Sequence, residues 1–484
     1  MMLKQNAKIA VIGGGIAGAS TALYLSEMGL KVTLFEKEES LVNGPPWCHL
    51  HAGGNLYPDI SDEQCITLLR QSIDFLRFYP FCVDYRPTVI AIPVDCTKSA
   101  SHLLPRLEKL KNEYAKLIEK DPANKVLGEA AEYYRLYDKE KIEALKKRPL
   151  VKKPFRADEW LIPFAKSVDL NTIQFPVILV QEYGLNLFRA GAGITLALRE
   201  IGSCHVRFAT TVSDISQERT NDGWIVQYEK DAVSQKEHFD YLINASGFRT
   251  GKIDDMVGAP CERMVEFKAA YVSRWEKSED TLWPEIVFHG ERGTPRGMAQ
   301  FTPYPGGYFQ LHGMTKDITL YPDGLVANTP LSCQPQLGRN FMQKIEKAWS
   351  QEETKERTQS AIRHISRFIP GFADAKVGSK PLFGAQQIPG DDPTLRVAEV
   401  SFPMEHYARC EIVKVSSILD MIDAIVRELI KLGYLDGSVC GKRELQHLKN
   451  LQEEAINTLA RKIAKERAYP ESLADRNVAY PNAF

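Results

Sequence analysis

The chain lacks any uninterrupted apolar run of about 18 residues, so no membrane-spanning helix is expected. It also lacks a charge excess: 61 basic and 62 acidic residues leave a formal charge of −1, with no electrostatic reason to expect a nucleic-acid partner. Cysteines are few, nine in all, scattered, and never spaced Cys-x-x-Cys. An odd, dispersed set reads as reduced thiols of a cytoplasmic protein rather than zinc, iron–sulfur or disulfide ligation. Neither an internal repeat nor a low-complexity block is present, and the first strand begins at Lys8, leaving no room for a signal peptide. What remains is 484 residues, 44% apolar and 25% charged, a globular composition with material for two domains.

The densest information lies between Lys8 and Glu36. Ile9 to Ile12 is apolar, Gly13-Gly14-Gly15-Ile16-Ala17-Gly18 follows, and Val32 to Phe35 ends at Glu36. This reads as a strand, a tight turn, a helix and a parallel strand ending in a carboxylate. Gly13 makes the turn, Gly15 lets backbone approach a pyrophosphate, and Gly18 lets helix and strand pack closely. Free N–H groups and the partial positive charge of the helix N-terminus suit phosphates, and Glu36 can accept from ribose hydroxyls. Dinucleotide binding is expected.

Further along, residues 61–79 carry a helical apolar stripe, Val89 to Val94 suits a strand, and residues 98–150 read as two or three charged surface helices. The basic run Lys146, Lys147, Arg148, Lys152, Lys153 and Arg156 reads as a solvated surface, with peripheral membrane or partner docking as the alternative. Phe175 to Gln181 suits a strand and 186–201 a helix. Gly191-Ala192-Gly193 inside that helix mimics a nucleotide loop, but no strand precedes it directly and Leu196 replaces the third glycine, so packing is expected. His205 to Ile215 reads as one strand, Gly223 to Tyr228 as its hairpin partner, and Asp240 to Gly247 as a buried parallel strand entering a small-residue turn. Residues 264–275 and 284–321 suggest an antiparallel sheet, 337–368 helix, Leu395 to Val400 a short strand, and 416–432 another helix.

The opening motif, the helix after Glu182-Tyr183-Gly184, the Val212 strand and the Ala245-Ser246-Gly247 turn occur in an order that resembles the D-amino-acid oxidase superfamily of FAD-dependent oxidoreductases. The resemblance implies an α/β architecture: a three-layer Rossmann-type FAD-binding domain with a second α+β substrate domain built on an antiparallel sheet. It divides the chain into an FAD unit from 1–80, 181–258 and 381–438, a substrate unit from 81–180 and 259–380, and a charged helix and tail over 439–484. It places Val212 against the adenine, Ala245, Ser246 and Gly247 beside the dinucleotide, and Ile16, Ala17, Lys37 and Val415 among the FAD contacts. His51-Ala52-Gly53 resembles the His-x-Gly segment at the flavin of 2-hydroxyglutarate oxidases and related 2-hydroxyacid or glycerol-phosphate oxidases. His51 is thereby a candidate base, a candidate covalent anchor, or a simple hydrogen-bonding group. His49 and His51 lack a third ligand at metal-binding spacing, so no metal is expected.

One departure from the family stands out. Where relatives carry a glycine-rich turn beside the flavin pyrimidine, this chain has Arg409-Cys410-Glu411-Ile412-Val413-Lys414-Val415-Ser416. Lys414 is a candidate for stabilising reduced flavin, or else a surface lysine. Period-two geometry puts Tyr308, Gln310 and His312 on one face and Phe309 and Leu311 on the other, which makes His312 a substrate-side candidate. Arg296 and Arg409 are candidate carboxylate forks or structural ion pairs. Trp47, Tyr57 and Tyr304 are candidate pocket walls.

The expected reaction is hydride transfer to flavin from a C–H beside a hydroxyl or amine of a small molecule, a 2-hydroxyacid slightly ahead of an amino acid or secondary amine. The electron acceptor, whether oxygen, quinone or protein, leaves no mark in the sequence. An aromatic-ring monooxygenase is disfavoured because Gly390-Asp391 runs into Asp392-Pro393, and a disulfide reductase because no second glycine loop or redox cysteine pair exists. A flavin-bound partner or maturation protein of low turnover, docking through 98–158 and the tail, is the alternative from another class.

Overall fold

In the computed structural model, which describes residues 6–46, 50, 60–217 and 223–481, alternation along the first strand sets the layering. Ile9 and Val11 enter one core with the helices Ile16–Glu27, Leu187–Glu200 and Ile418–Lys431. Ala10 and Ile12 point the other way, into a second core with Trp224, Val226 and Phe239. The sheet between these cores has six strands, in the order Val400–Met404, Tyr407–Cys410, Tyr241–Asn244, Lys8–Ile12, Lys31–Phe35 and Cys204–Arg207. All neighbours are parallel except the first pair. Burial on both faces explains why these strands read as continuous apolar runs rather than alternating ones. A three-stranded antiparallel sheet, Thr211–Gln217, Trp224–Lys230 and Val233–Phe239, covers the second face.

The second sheet has ten strands, of which Arg263–Arg274 is the longest and pairs with four others. It is antiparallel but for one pair, Glu285–Phe288 beside Thr88–Pro93. Phe267, Ala269, Tyr271, Phe301, Phe309 and Leu311 face a third core under the helices Ala157–Ser167 and Gln351–Ser366. The opposite face carries Val272, Tyr304, Ile90 and Ile92 toward the first core. The large sheet therefore turns one face to its own helices and the other toward the parallel-sheet half.

Three local expectations need correction. His205 to Ile215 is two strands in two sheets: the chain breaks at Ala209, whose φ is +50°, where Ala209 N donates to Glu38 O and Thr210 N to Glu36 O. Strand-like residues on both sides hid the break. Leu395 to Glu399 is irregular after a turn closed by Leu395 N to Asp392 O, and strand begins only at Val400. Within 98–150 the helices are Leu104–Lys120 and Lys139–Lys146, but Tyr134–Tyr137 is an edge strand of the large sheet. The strand Leu382–Pro389 and the helix Ala157–Ser167, which holds Pro163, went unanticipated. Gly191 and Gly193 are indeed packing residues, against Leu41 O and the Phe81 ring.

A Cβ at Gly18 would overlap the Gly13 carbonyl, whereas one at Gly202 would meet nothing within 4 Å. Gly18→Ala should therefore lower unfolding stability by about 1–3 kcal/mol in a denaturant titration, as overpacking does. Gly202→Ala should stay within about 0.5 kcal/mol of the parent. Equal effects would show that the close approach is not a constraint.

Candidate active site

Three parallel strands deliver their C-terminal ends to the glycine turn. Gly13 N donates to Phe35 O at 2.8 Å, Ala245 N to Ile12 O at 2.9 Å, and Ser246 Oγ to Ile12 O at 3.2 Å. Gly13 has φ +100°, and a Cβ there would lie 2.5 Å from Ala245 O, so the turn requires glycine. Gly15 is glycine for another reason: a Cβ would meet nothing within 4 Å, because this residue borders an open cavity of about 680 Å³. Gly15 is also the N-cap of the helix Ile16–Glu27, and no side chain caps that helix, which leaves its first-turn N–H groups for a ligand. Glu36 is buried at the end of the second strand and accepts from Gly14 N at 2.6 Å and Glu38 N at 2.8 Å. Burial raises its carboxyl above the ordinary range, against those two donors.

Gly13, Gly15, Glu36, Lys37, Val212, Ala245, Ser246 and Gly247 all line this cavity, while Ile16, Ala17 and Gly18 stand behind it in the helix. Val415 opens the turn leading to the helix Ile418–Lys431, away from the cavity lining. His51, Ala52 and Gly53, with His49, Trp47 and Tyr57, lie outside the described residues. An open backbone, an uncapped helix end and an acceptor at the second strand fit the ADP half of FAD.

The wall beside this cavity belongs to the large sheet. Leu382, Phe383, Gly384 and Ala385 line the cavity, and Gly384 pairs with Lys268 on the neighbouring strand. Lys268 Nζ bonds Glu266 Oε2 at 2.5 Å, and Arg292 Nη2 reaches Glu266 Oε1 at 2.9 Å. Burial would raise the Glu266 carboxyl, but Lys268 and Arg292 outweigh it and hold it down to about 2. Burial, and after it the charge of Lys268, lowers His312 to about 3, so its imidazole is neutral at pH 7. Burial also lowers Lys268, and the nearby charges of Arg292 and Lys414 add to that. Lys414 is drawn into the same group: it follows Val413, whose carbonyl accepts from Gln386 Nε2 at 2.8 Å, and Gln386 pairs with Glu266. Two residues singled out from sequence, His312 and Lys414, thus meet around Lys268 and Glu266, which were not. The one local signal was a pair of charges at alternate positions of an apolar strand.

A buried polar network continues along this face. Arg86 bonds Glu285 at 2.7 Å, and Glu285 accepts from Gln300 at 2.5 Å and Thr302 at 3.2 Å. Tyr304 OH donates to Gln310 Oε1 at 3.2 Å. The two candidate carboxylate forks are placed elsewhere. Arg409 is committed to the chain's own acids, Asp254 at 3.2 Å and Glu411 at 3.1 Å, beside Arg263 in a buried ion cluster that braces the parallel sheet. Arg296 sits exposed against Asp95 at 3.3 Å. Among the described residues no cluster of His, Cys, Asp and Glu could hold a metal ion, and no helix is long and apolar enough to cross a membrane.

A dinucleotide cavity at the ends of a three-layer parallel sheet, walled by a second sheet with a charged face, defines a flavin oxidoreductase. The family model described as DAO, FAD dependent oxidoreductase, matches residues 8–397, and the chain belongs to that family. It is 40% identical over 81 residues to the tRNA 5-methylaminomethyl-2-thiouridine biosynthesis bifunctional protein MnmC of Actinobacillus pleuropneumoniae; the match spans 16% of this chain and 10% of that protein. Its fold is similar to L-alpha-glycerophosphate oxidase from Mycoplasma pneumoniae, with TM-score 0.56 and 15% identity, covering 87% of this chain and 94% of that one. L-amino acid deaminase from Proteus vulgaris is similar as well, with TM-score 0.57 and 13% identity, covering 89% and 95%. These relatives act on a glycerophosphate and on amino acids by their names, and the nearest-relative link to 2-hydroxyacid oxidases drawn from His51-Ala52-Gly53 is not supported.

The His312 environment has a pH signature. An unfolded histidine takes up its proton near pH 6.5 and the folded one near 3, so the unfolded chain binds more protons in that interval and stability falls with acidification. Replacing His312 by Gln should flatten this fall between about pH 7.5 and about pH 5, by up to about 1.4 kcal/mol per pH unit. Urea titrations of parent and variant measure it; parallel curves would place His312 in water.

Proposed function

We propose that this chain oxidises a C–H bond next to a hydroxyl or amine of a small anionic substrate bound against the charged face of the large sheet. Bound FAD supplies the two-electron acceptor, receiving hydride at N5. The reading is carried by the Lys268 group, where two cations, Lys268 and Arg292, share the carboxylate of Glu266. A carboxylate or phosphate on the substrate balances that surplus, and an ammonium on a strand orients it more firmly than one on a loop would. Neutral His312 is in the protonation state needed to accept a proton from the substrate hydroxyl or amine at pH 7. Glu266 opposes the effect of burial on Lys268 and so favours the charged form that an anion site needs.

2-Hydroxyacids, glycerol phosphates and amino acids all meet this description. The fold's likeness to a glycerophosphate oxidase and an amino acid deaminase supports the last two. Purified protein mixed anaerobically with such a panel should lose its oxidised flavin absorbance with one class of anion. Lys268→Met should raise KM for that substrate about tenfold or more, the worth of a charge-assisted hydrogen bond, with a smaller change in kcat. Faster bleaching by neutral alcohols or amines than by their anionic counterparts would refute the reading, and silence across the panel would favour a flavin-bound partner protein.

A further inference from the structure

Beyond residue 397, where the family match ends, the chain runs through the helix Glu453–Glu466 to Arg467 and Tyr469, and both residues line the cofactor cavity. Arg467 is rigidly held. Its Nε and Nη2 donate to Ser40 Oγ at 3.1 and 2.9 Å, Nη2 also donates to Leu41 O at 2.6 Å, and Nη1 to Val42 O at 3.0 Å. Val42 N in turn donates to Gly14 O at 2.9 Å, so a single residue separates the guanidinium from the glycine turn. Tyr469 OH closes the other side by donating to Pro381 O at 2.7 Å. Next to Pro381, the Lys380 ammonium stands 4.6 Å from the centre of the Tyr469 ring and 6.0 Å from that of Phe383. Among the described residues no carboxylate forms an ion pair with either Lys380 or Arg467, and no hydrogen bond holds the Lys380 ammonium.

Two cations on a partly buried wall with no carboxylate in ion-pair contact are costly unless a ligand supplies an anion. We infer that Lys380 and Arg467 form the second half of the FAD diphosphate site, facing the half made by the helix N-terminus at Gly15. Lys380 is the direct ligand of a phosphate oxygen. Arg467 is a positioning residue: it fixes Ser40, Leu41 and Val42 against the glycine turn and adds its charge to the site. A helix N-terminus alone offers only about half a positive charge, against two phosphates and the neighbouring Glu36 carboxylate. The ring faces of Tyr469 and Phe383 hold the ammonium without neutralising it. Burial lowers Lys380, with Arg467 adding to the effect, and brings Arg467 down to about 10 although Tyr469, Glu36 and Glu38 draw it the other way. The segment past the family match is then part of the cofactor site.

The test uses the full-length chain stripped of flavin, titrated with FAD, ADP and adenosine, with circular dichroism melts confirming the fold of each variant. Lys380→Met should weaken ADP and FAD about tenfold or more and leave adenosine within about twofold, a charge-assisted contact being lost. The salt dependence of ADP binding should become shallower in the same variant. Arg467→Lys, which keeps the charge but loses the fork, should weaken ADP less than Arg467→Met does. Equal loss for ADP and adenosine, or no loss for either in Lys380→Met, would overturn the assignment, since a merely structural lysine does not distinguish them. Because FAD binding itself is read in the parent protein, its failure is separable from failure of the Lys380 contact.

Discussion

The structure depends on one crossing of backbones, where the α-carbon of Gly13 lies against the carbonyl of Ala245 and its N–H is held by Phe35 O. No side chain fits at that point. The ends of the strands Lys8–Ile12, Lys31–Phe35 and Tyr241–Asn244 are thereby brought within hydrogen-bond reach of each other, and the helix that follows starts at the cavity rather than beside it. Glu36, Ser246 and Val42 all take their positions from this contact, Glu36 by accepting from Gly14 N, Ser246 by donating its hydroxyl to Ile12 O and Val42 by donating its N–H to Gly14 O.

From that point two walls are added by different means. The large sheet contributes strand Leu382–Pro389, whose inner residues line the cavity while its partner strand presents Glu266 and Lys268. The helix Glu453–Glu466 and its continuation contribute Arg467 and Tyr469, fastened to the loop after Glu36 and to Pro381. Neighbouring surfaces thus differ in kind: a backbone-rich side suited to phosphate and ribose, and a side of charged groups held on strands.

How much of this the sequence disclosed follows from the range of each interaction. The glycine turn was legible because its three jobs, turn, open approach and close packing, are encoded within six residues. The layers were legible because continuous and alternating apolar runs distinguish strands covered on two faces from those covered on one. Tyr308, Gln310 and His312 were placed on one face by period two, and Phe309 and Leu311 do join the core opposite. What stayed hidden depends on distant partners. Lys268 sits forty-four positions before His312, on another strand, and its one local sign is the alternation of Glu266 and Lys268 within an apolar strand. The role suggested for Arg409 gave way to Asp254, a residue whose proximity only the folded sheet reveals. Arg467 touches residues more than four hundred positions away. The break at Ala209 failed differently: both flanking segments are genuinely extended, so periodicity registers no interruption when a chain leaves one sheet for another.

The parallel sheet takes strands from residues 8–35, 204–244 and 400–410, and its second neighbour, Tyr407–Cys410, lies far down the chain from Lys8–Ile12. During synthesis the glycine turn therefore emerges well before its crossing partner at Tyr241–Asn244, and the sheet is complete only once Tyr407–Cys410 has emerged. Closure between such distant segments slows folding. A dinucleotide that binds the completed cavity and not the unfolded chain adds to the stability of this late-closing sheet by mass action.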